Sequence, residues 1–158
     1  MKRFITLSIS ILLLSSYSIA FAQQTGQQQQ QQMQQHMQQM QQMMQTMNGL
    51  MERTHTMNQE MNQRMQQTQS EQMKNQYQMM HRFNEQMQLT LGTMKNAAER
   101  CNIMTQDQQM MRDQEMKRDM DRLRQHLQDM TGQAEEAVQT MERLTKRIHQ
   151  QGQTEPGK

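Results

Sequence analysis

Apolar residues recur along most of this chain at alternating steps of four and three, and methionine fills most of those places. One run is Met33, Met37, Met40, Met44, Met47, Met51. A second is Met73, Tyr77, Met80, Asn84, Met87, Leu91, Met94, Ala98, Cys101. The third is Met116, Met120, Leu123, Leu127, Met130, Ala134, Ala137, Met141, Leu144, Ile148, apolar at every step. A 4-3 repeat keeps one stripe of an α-helix turned toward a partner, so the spacing predicts long helices packed as coiled coils. The expected fold class is all-α, a coiled-coil helical hairpin or three-helix bundle spanning residues 33–150. Its helices fall near 30–67, 70–101 and 105–150.

Between the first two runs the phase slips. Leu50, Thr54, Met57 and Met61 continue one flank of the first stripe, and Met65 and Met73 lie on another. Thr68-Gln69-Ser70-Glu71 fits a capping box, with Thr68 as the cap. Thr105-Gln106-Asp107-Gln108 fits the same pattern, with Met104 ahead of it as a staple. One continuous helix with a stutter across Thr68 is the alternative. Gly49, Gly92 and Gly132 are candidate bends, and Asn48-Gly49 is the most turn-like pair. Asn84, polar at a seam position, is a candidate register pin. Asp113 with Lys117, and Glu142 with Lys146, read as i,i+4 pairs on a solvated face.

Composition supports helix and excludes sheet. The chain has no Trp, 3 Phe, 2 Tyr and a single Pro, Pro156. Met, Gln, Glu, Arg and Lys, all tolerant of helix, dominate. Residues 23–32 are nearly all Gln and carry no seam, and the tail 151–158 has none either. Both are expected to be disordered.

The first 22 residues read as a secretory signal peptide. Lys2 and Arg3 give a positive start, an apolar core runs from Phe4 to about Leu14, and Ala20-Phe21-Ala22 gives an A-x-A ending. Cleavage is expected between Ala22 and Gln23, with a periplasmic or secreted product. The apolar core is about half the roughly 20 residues of a spanning helix, so stable membrane insertion after cleavage is not expected. The leader holds no acid, so without Lys2 and Arg3 the remaining 15 basic residues equal the 15 acidic ones. A balanced charge gives nucleic acid no bulk attraction.

Leu is the ordinary seam residue, yet beyond the leader there are 22 Met and 6 Leu. Soft-metal binding would favour such a bias, because thioether sulfur selects Cu(I) over hard cations and by the same softness accepts Ag(I). The densest array comprises Met33, His36, Met37, Met40, Met43, Met44, Met47, Met51 and His55, at helical i,i+3 and i,i+4 steps. Met43 lies off the seam and is the hardest to assign to a core. His126 and Met130 repeat the pairing of Met51 and His55. Methionine also forms adaptable apolar surface for partner or client helices, and its plainest use is as core.

Met104-Thr105-Gln106-Asp107-Gln108 is similar to the Leu-Thr-x-x-Gln motif of Spy-type periplasmic helical chaperones and metal sensors, over five residues and with Met in place of Leu. That likeness implies client or metal handling, and a capping box accounts for the same residues. Cys101 is the one cysteine. At the end of the second seam it reads as an interchain disulfide or a buried thiol. An enzyme is not expected. Beyond the leader Ser70 is the only serine, and no nucleophile elbow, phosphate loop or H-E-x-x-H is present. Self-association through the seams is expected.

Overall fold

The computed structural model describes the backbone of residues 5–107 and 109–154, with side-chain environments from 30 to 107 and 109 to 151. The elements are α1 (Ile5–Gln67), α2 (Glu71–Gln106), a 3₁₀ turn (Met110–Arg112) and α3 (Gln114–Thr154). Among the described residues there is no strand. The chain divides into two compact units, Met1–Gln39 and Met40–Lys158.

The first unit is the early part of α1. Residues 1–4, the positive start of the expected leader, lie outside the described residues. The backbone of the Gln-rich stretch 23–32 continues α1, and the side chains at 30–32 are exposed. Gln is a fair helix former, so the backbone needs no seam to be drawn helical there. At the other end 151–154 continue α3, and 155–158 lie outside the described residues.

The second unit is a bundle of three helices: α1 from Met40 onward, α2 and α3. The short link at 68–70 makes α1 and α2 antiparallel neighbours, and buried residues of all three helices form one cluster. On α1 the buried line is Met40, Met43, Met47, Leu50, Thr54, Met57 and Met61, an unbroken 3-4 repeat. The expected phase slip is absent. Met43 is core at 5 % exposure, and Met44 and Met51, expected in the seam, sit half-buried on its flank. Apolar residues occupy two overlapping tracks that share Met40 and Met47, and a helix touching two neighbours buries the track between them.

On α2 the expected seam holds. Tyr77, Asn84, Leu91, Met94, Ala98 and Cys101 are buried, and Met73, Met80 and Met87 pack partly against the core. On α3 half of the expected seam turns out. Met120, Leu127, Ala134 and Met141 are buried with Thr131, Val138 and Thr145, whereas Met116, Leu123, Met130 and Leu144 are exposed. Threonine does not register in an apolar pattern, yet it enters these cores cheaply when its own helix takes the hydroxyl. Thr131 Oγ1 donates to Leu127 O at 2.7 Å, Thr54 Oγ1 to Met51 O at 2.8 Å, and Thr105 Oγ1 to Asn102 O at 2.8 Å.

The caps differ from those expected. Ser70, not Thr68, caps α2, accepting the Met73 N–H at 3.4 Å, while Thr68 Oγ1 accepts the Ser70 N–H. Thr105 lies inside α2, which therefore ends later than 101, and the link to α3 runs over 107–113. Asp107 Oδ1 takes the N–H groups of Gln109 and Met110, and Asp113 Oδ1 those of Glu115 and Met116. An aspartate at each position offers a charged acceptor to orphan donors, stronger than the Thr105 hydroxyl could. Gly49, Gly92 and Gly132 are not bends. Each lies within a helix, and none has a positive φ.

Candidate functional site

The Met and His set named above divides between the two units. In the first, Met33, His36 and Met37 are all half-buried. In the second, Met40, Met43 and Met47 are at 0 %, 5 % and 0 % exposure, with their sulfurs spent on packing. A thioether closed inside a packed core reaches an ion only if the core opens. Met44 and Met51 remain half-buried and His55 is exposed. His55 Nε2 lies 2.9 Å from the Gln59 amide nitrogen one turn on. Met51 and His55 are one turn apart, so sulfur and imidazole share a face of α1. Among the described residues no group of three or more His, Cys, Asp or Glu is placed to hold an ion. A metal held here would rest on thioether with a single imidazole, a donor set that suits a soft monovalent ion and not zinc.

Cys101 is a buried free thiol, 1 % exposed. Burial raises its pKa, opposed by the charge of Arg124 and supported by that of Asp121. A protonated thiol inside the core neither attacks nor meets a cysteine of another chain without opening the bundle. Of the two roles open from the sequence, the buried thiol fits.

The largely apolar core of the bundle contains one polar layer between α1 and α2. Asn84, fully buried, donates Nδ2 to the Thr54 carbonyl oxygen and to Asn58 Oδ1. Thr54 is also fully buried and Asn58 is 9 % exposed, so these three residues form a layer tying α1 to α2. Asn84 Oδ1 has no hydrogen-bond partner.

α1 and α3 are joined by Arg53 and Glu142. The guanidinium donates Nε and Nη2 to the two carboxylate oxygens, both at 2.8 Å, a fork-on-fork pair. Hydrogen bonding from Arg53 lowers the Glu142 pKa against the opposing effect of burial, with the charges of Arg53 and Lys146 adding to it. By spacing alone Glu142 pairs with Lys146. Arg53 offers two parallel donors where a lysine offers one point charge, so the cross-helix contact takes the carboxylate. An open groove of about 430 Å³ lies over this pair between α1 and α3, with Glu52, Glu60, Lys146 and Thr145 on its walls.

No family model, curated protein or solved structure matches the chain.

The similarity to the Spy-type motif therefore rests on its five residues alone, and Thr105 within them is a buried helical residue bonded to Asn102 O. Among the described residues no helix is long and apolar enough to cross a membrane. Sequence reasoning missed the Arg53–Glu142 pair, whose members are 89 positions apart. The one available signal was a residue of each charge set at the edge of its helix's apolar stripe.

Proposed function

We propose that this protein is an exported, non-enzymatic helical binding protein that holds Cu(I), and by the same chemistry Ag(I), on methionine and histidine of α1. The observation that carries the reading is the half-burial of Met44 and Met51 beside a seam already filled by Met43, Met47 and Leu50. Met44 and Met51 pack against the core from its flank, where leucine serves the fold equally well, so the fold alone gives no reason for thioether. In the second unit Met51 and His55, one turn apart, are close enough to share an ion, and Met44 is a further thioether two turns before Met51, about 10 Å along the helix. Met33, His36 and Met37 form a separate set in the first. The leader pattern supports a periplasmic or secreted location.

A second reading, a helical interaction protein or holdase-like chaperone, is favoured by Met79 and Phe83. They are one turn apart on α2 and 68 % and 56 % exposed. An anaerobic titration of Cu(I) against a colorimetric chelator separates the two. The metal reading expects competition by the full chain, weakened at least tenfold in a variant carrying Met44→Leu, Met51→Leu and His55→Gln with helix content unchanged. If the full chain does not compete, the metal reading falls and the interaction reading takes its place.

A further inference from the structure

α3 leaves four large apolar side chains open to solvent: Met116 at 37 %, Leu123 at 42 %, Met130 at 44 % and Leu144 at 42 %. They are not scattered. With half-buried Ala137 they occupy 116, 123, 130, 137 and 144, one place in every heptad, over roughly 42 Å of helix at about 1.5 Å per residue. The exposed apolar residues of α2, Met79, Phe83, Leu89 and Ile103, follow no such period, and single exposed hydrophobics are ordinary on a protein surface. A line repeating every seven residues stays against one partner when two helices supercoil left-handedly. On α3 that line runs beside the buried Met120, Leu127, Ala134 and Met141. The helix thus has one apolar edge in the bundle and a second edge uncovered.

We propose that the uncovered edge is a seam for a second copy of this chain, packed antiparallel with the two-fold axis at Met130. The pairing is isologous and closes on itself. It sets Met130 against its own copy, Leu123 against the small Ala137, and Met116 against Leu144. Charge on the outer border of the stripe selects this direction. Antiparallel packing about Met130 brings Glu115 near Arg147 of the other copy, Asp119 near Arg143, and Arg122 near Glu136. Parallel packing in register turns this border of each copy toward the opposite border of the other, the line of Met120, Leu127, Ala134 and Met141, where these charges meet no opposite charge. Asp129, close to the axis, is the one like-charged meeting, and its carboxylate already accepts from Gln125 at 3.0 Å. Asp119 and Arg122 pair with each other at 3.4 Å in the single chain, at 63 % and 67 % side-chain exposure, so both are free to re-pair. The seam lies on α3 and stands apart from the metal reading.

Sedimentation equilibrium of the full chain under reductant is the primary test. The expected result is twice the chain mass, reverting to a single mass in Leu123→Glu and Met130→Glu with unchanged helical circular dichroism. A single mass for the unsubstituted chain up to roughly 100 µM, the weak end of specific association, overturns the proposal. So does a dimer that both substitutions leave intact. Direction is read by cross-linking in a Cys101→Ser background. Met130→Cys is expected to form a disulfide with itself. Leu123→Cys is expected to do so only when mixed with Ala137→Cys. Self-linking of Leu123→Cys, with Met130→Cys or without it, places the chains parallel and sinks the antiparallel seam. Should Cys101→Ser not fold, sedimentation of the unsubstituted chain and of the two Glu variants decides alone.

Discussion

The side-chain amide of Asn84 donates to the backbone carbonyl of Thr54, thirty residues earlier and on a different helix, and both residues are fully buried. The same nitrogen reaches Asn58 Oδ1 at 2.9 Å, and Asn84 Oδ1 is left without a partner. An unsatisfied buried acceptor costs about 1–3 kcal/mol, so the layer contributes less stability than an apolar one would. Its compensation is register, because sliding α1 by one turn against α2 strands all three polar groups.

Asn84→Ala is expected to lower stability by about 2 kcal/mol, through the cavity and the unpaired Asn58 amide. Replacing Asn58 and Asn84 together by leucine is expected to raise the urea midpoint while broadening the amide spectrum, as the helices lose their single alignment. A double variant less stable than Asn84→Ala would show that the layer stabilises the bundle outright.

Val138 is fully buried and Met130 is 44 % exposed, although the apolar pattern of α3 favours Met130 as the seam residue. Val138→Ala is expected to cost about 1–2 kcal/mol and Met130→Ala under about 0.5 kcal/mol. Both are measured by denaturant unfolding at a concentration where the chain is monomeric. The reverse order would turn α3 around its axis.

A methyl group added at Gly49, Gly92 or Gly132 meets nothing within 4 Å, and each lies in a helix with no positive φ. Alanine at each is therefore expected to raise stability by about 0.5–1 kcal/mol. Thermal unfolding of the triple variant reads the sum. A loss at any one position would mean that the glycine is used as a bend.

Acid should weaken the contact between α1 and α3. The Glu142 pKa is lowered in the folded chain, first by its hydrogen bonds from Arg53. The folded state then binds fewer protons than the unfolded one on the acid side, and stability rises with pH across that window. The contribution is complete above the ordinary glutamate value of 4.5 and is lost as pH falls through the lowered folded value. Side chains 37 % and 30 % exposed hold it to about 1 kcal/mol or less. Glu142→Gln is expected to flatten the pH dependence of the urea midpoint below about pH 5 by this amount. An unchanged slope would show the pair to be idle.

Cys101, buried and with its pKa raised, is expected to react with a thiol reagent only as fast as the bundle opens. The rate in native buffer should follow urea concentration as local or global unfolding does. Fast labelling at neutral pH would place the thiol at a surface.

Helicity, the all-α class and the α2 seam were legible because heptad spacing is a property of the chain itself. On α2 a single apolar track, from Tyr77 to Cys101, leaves no choice of face. On α1 and α3 the sequence offers two tracks each, sharing Met40 and Met47 or Met120, Leu127, Ala134 and Met141. A periodic pattern cannot rank two tracks that share every second member. Only contact with two neighbouring helices did so, turning Met43 and Leu50 in on α1, and Val138 with Thr131 and Thr145 in on α3. The threonines escaped notice because a hydroxyl counts as polar in sequence; in the fold Thr131 is bonded to its own helix, and the Thr145 hydroxyl is buried without a partner. In the candidate site, the sequence named the methionines and histidines, whereas burial separated core sulfurs such as Met40 and Met47 from the half-open Met44 and Met51. Spacing along one helix is local and written in the residues. Which side of that helix meets a neighbour, and that Arg53 finds Glu142, depends on chain segments far apart in sequence and exists only once they pack.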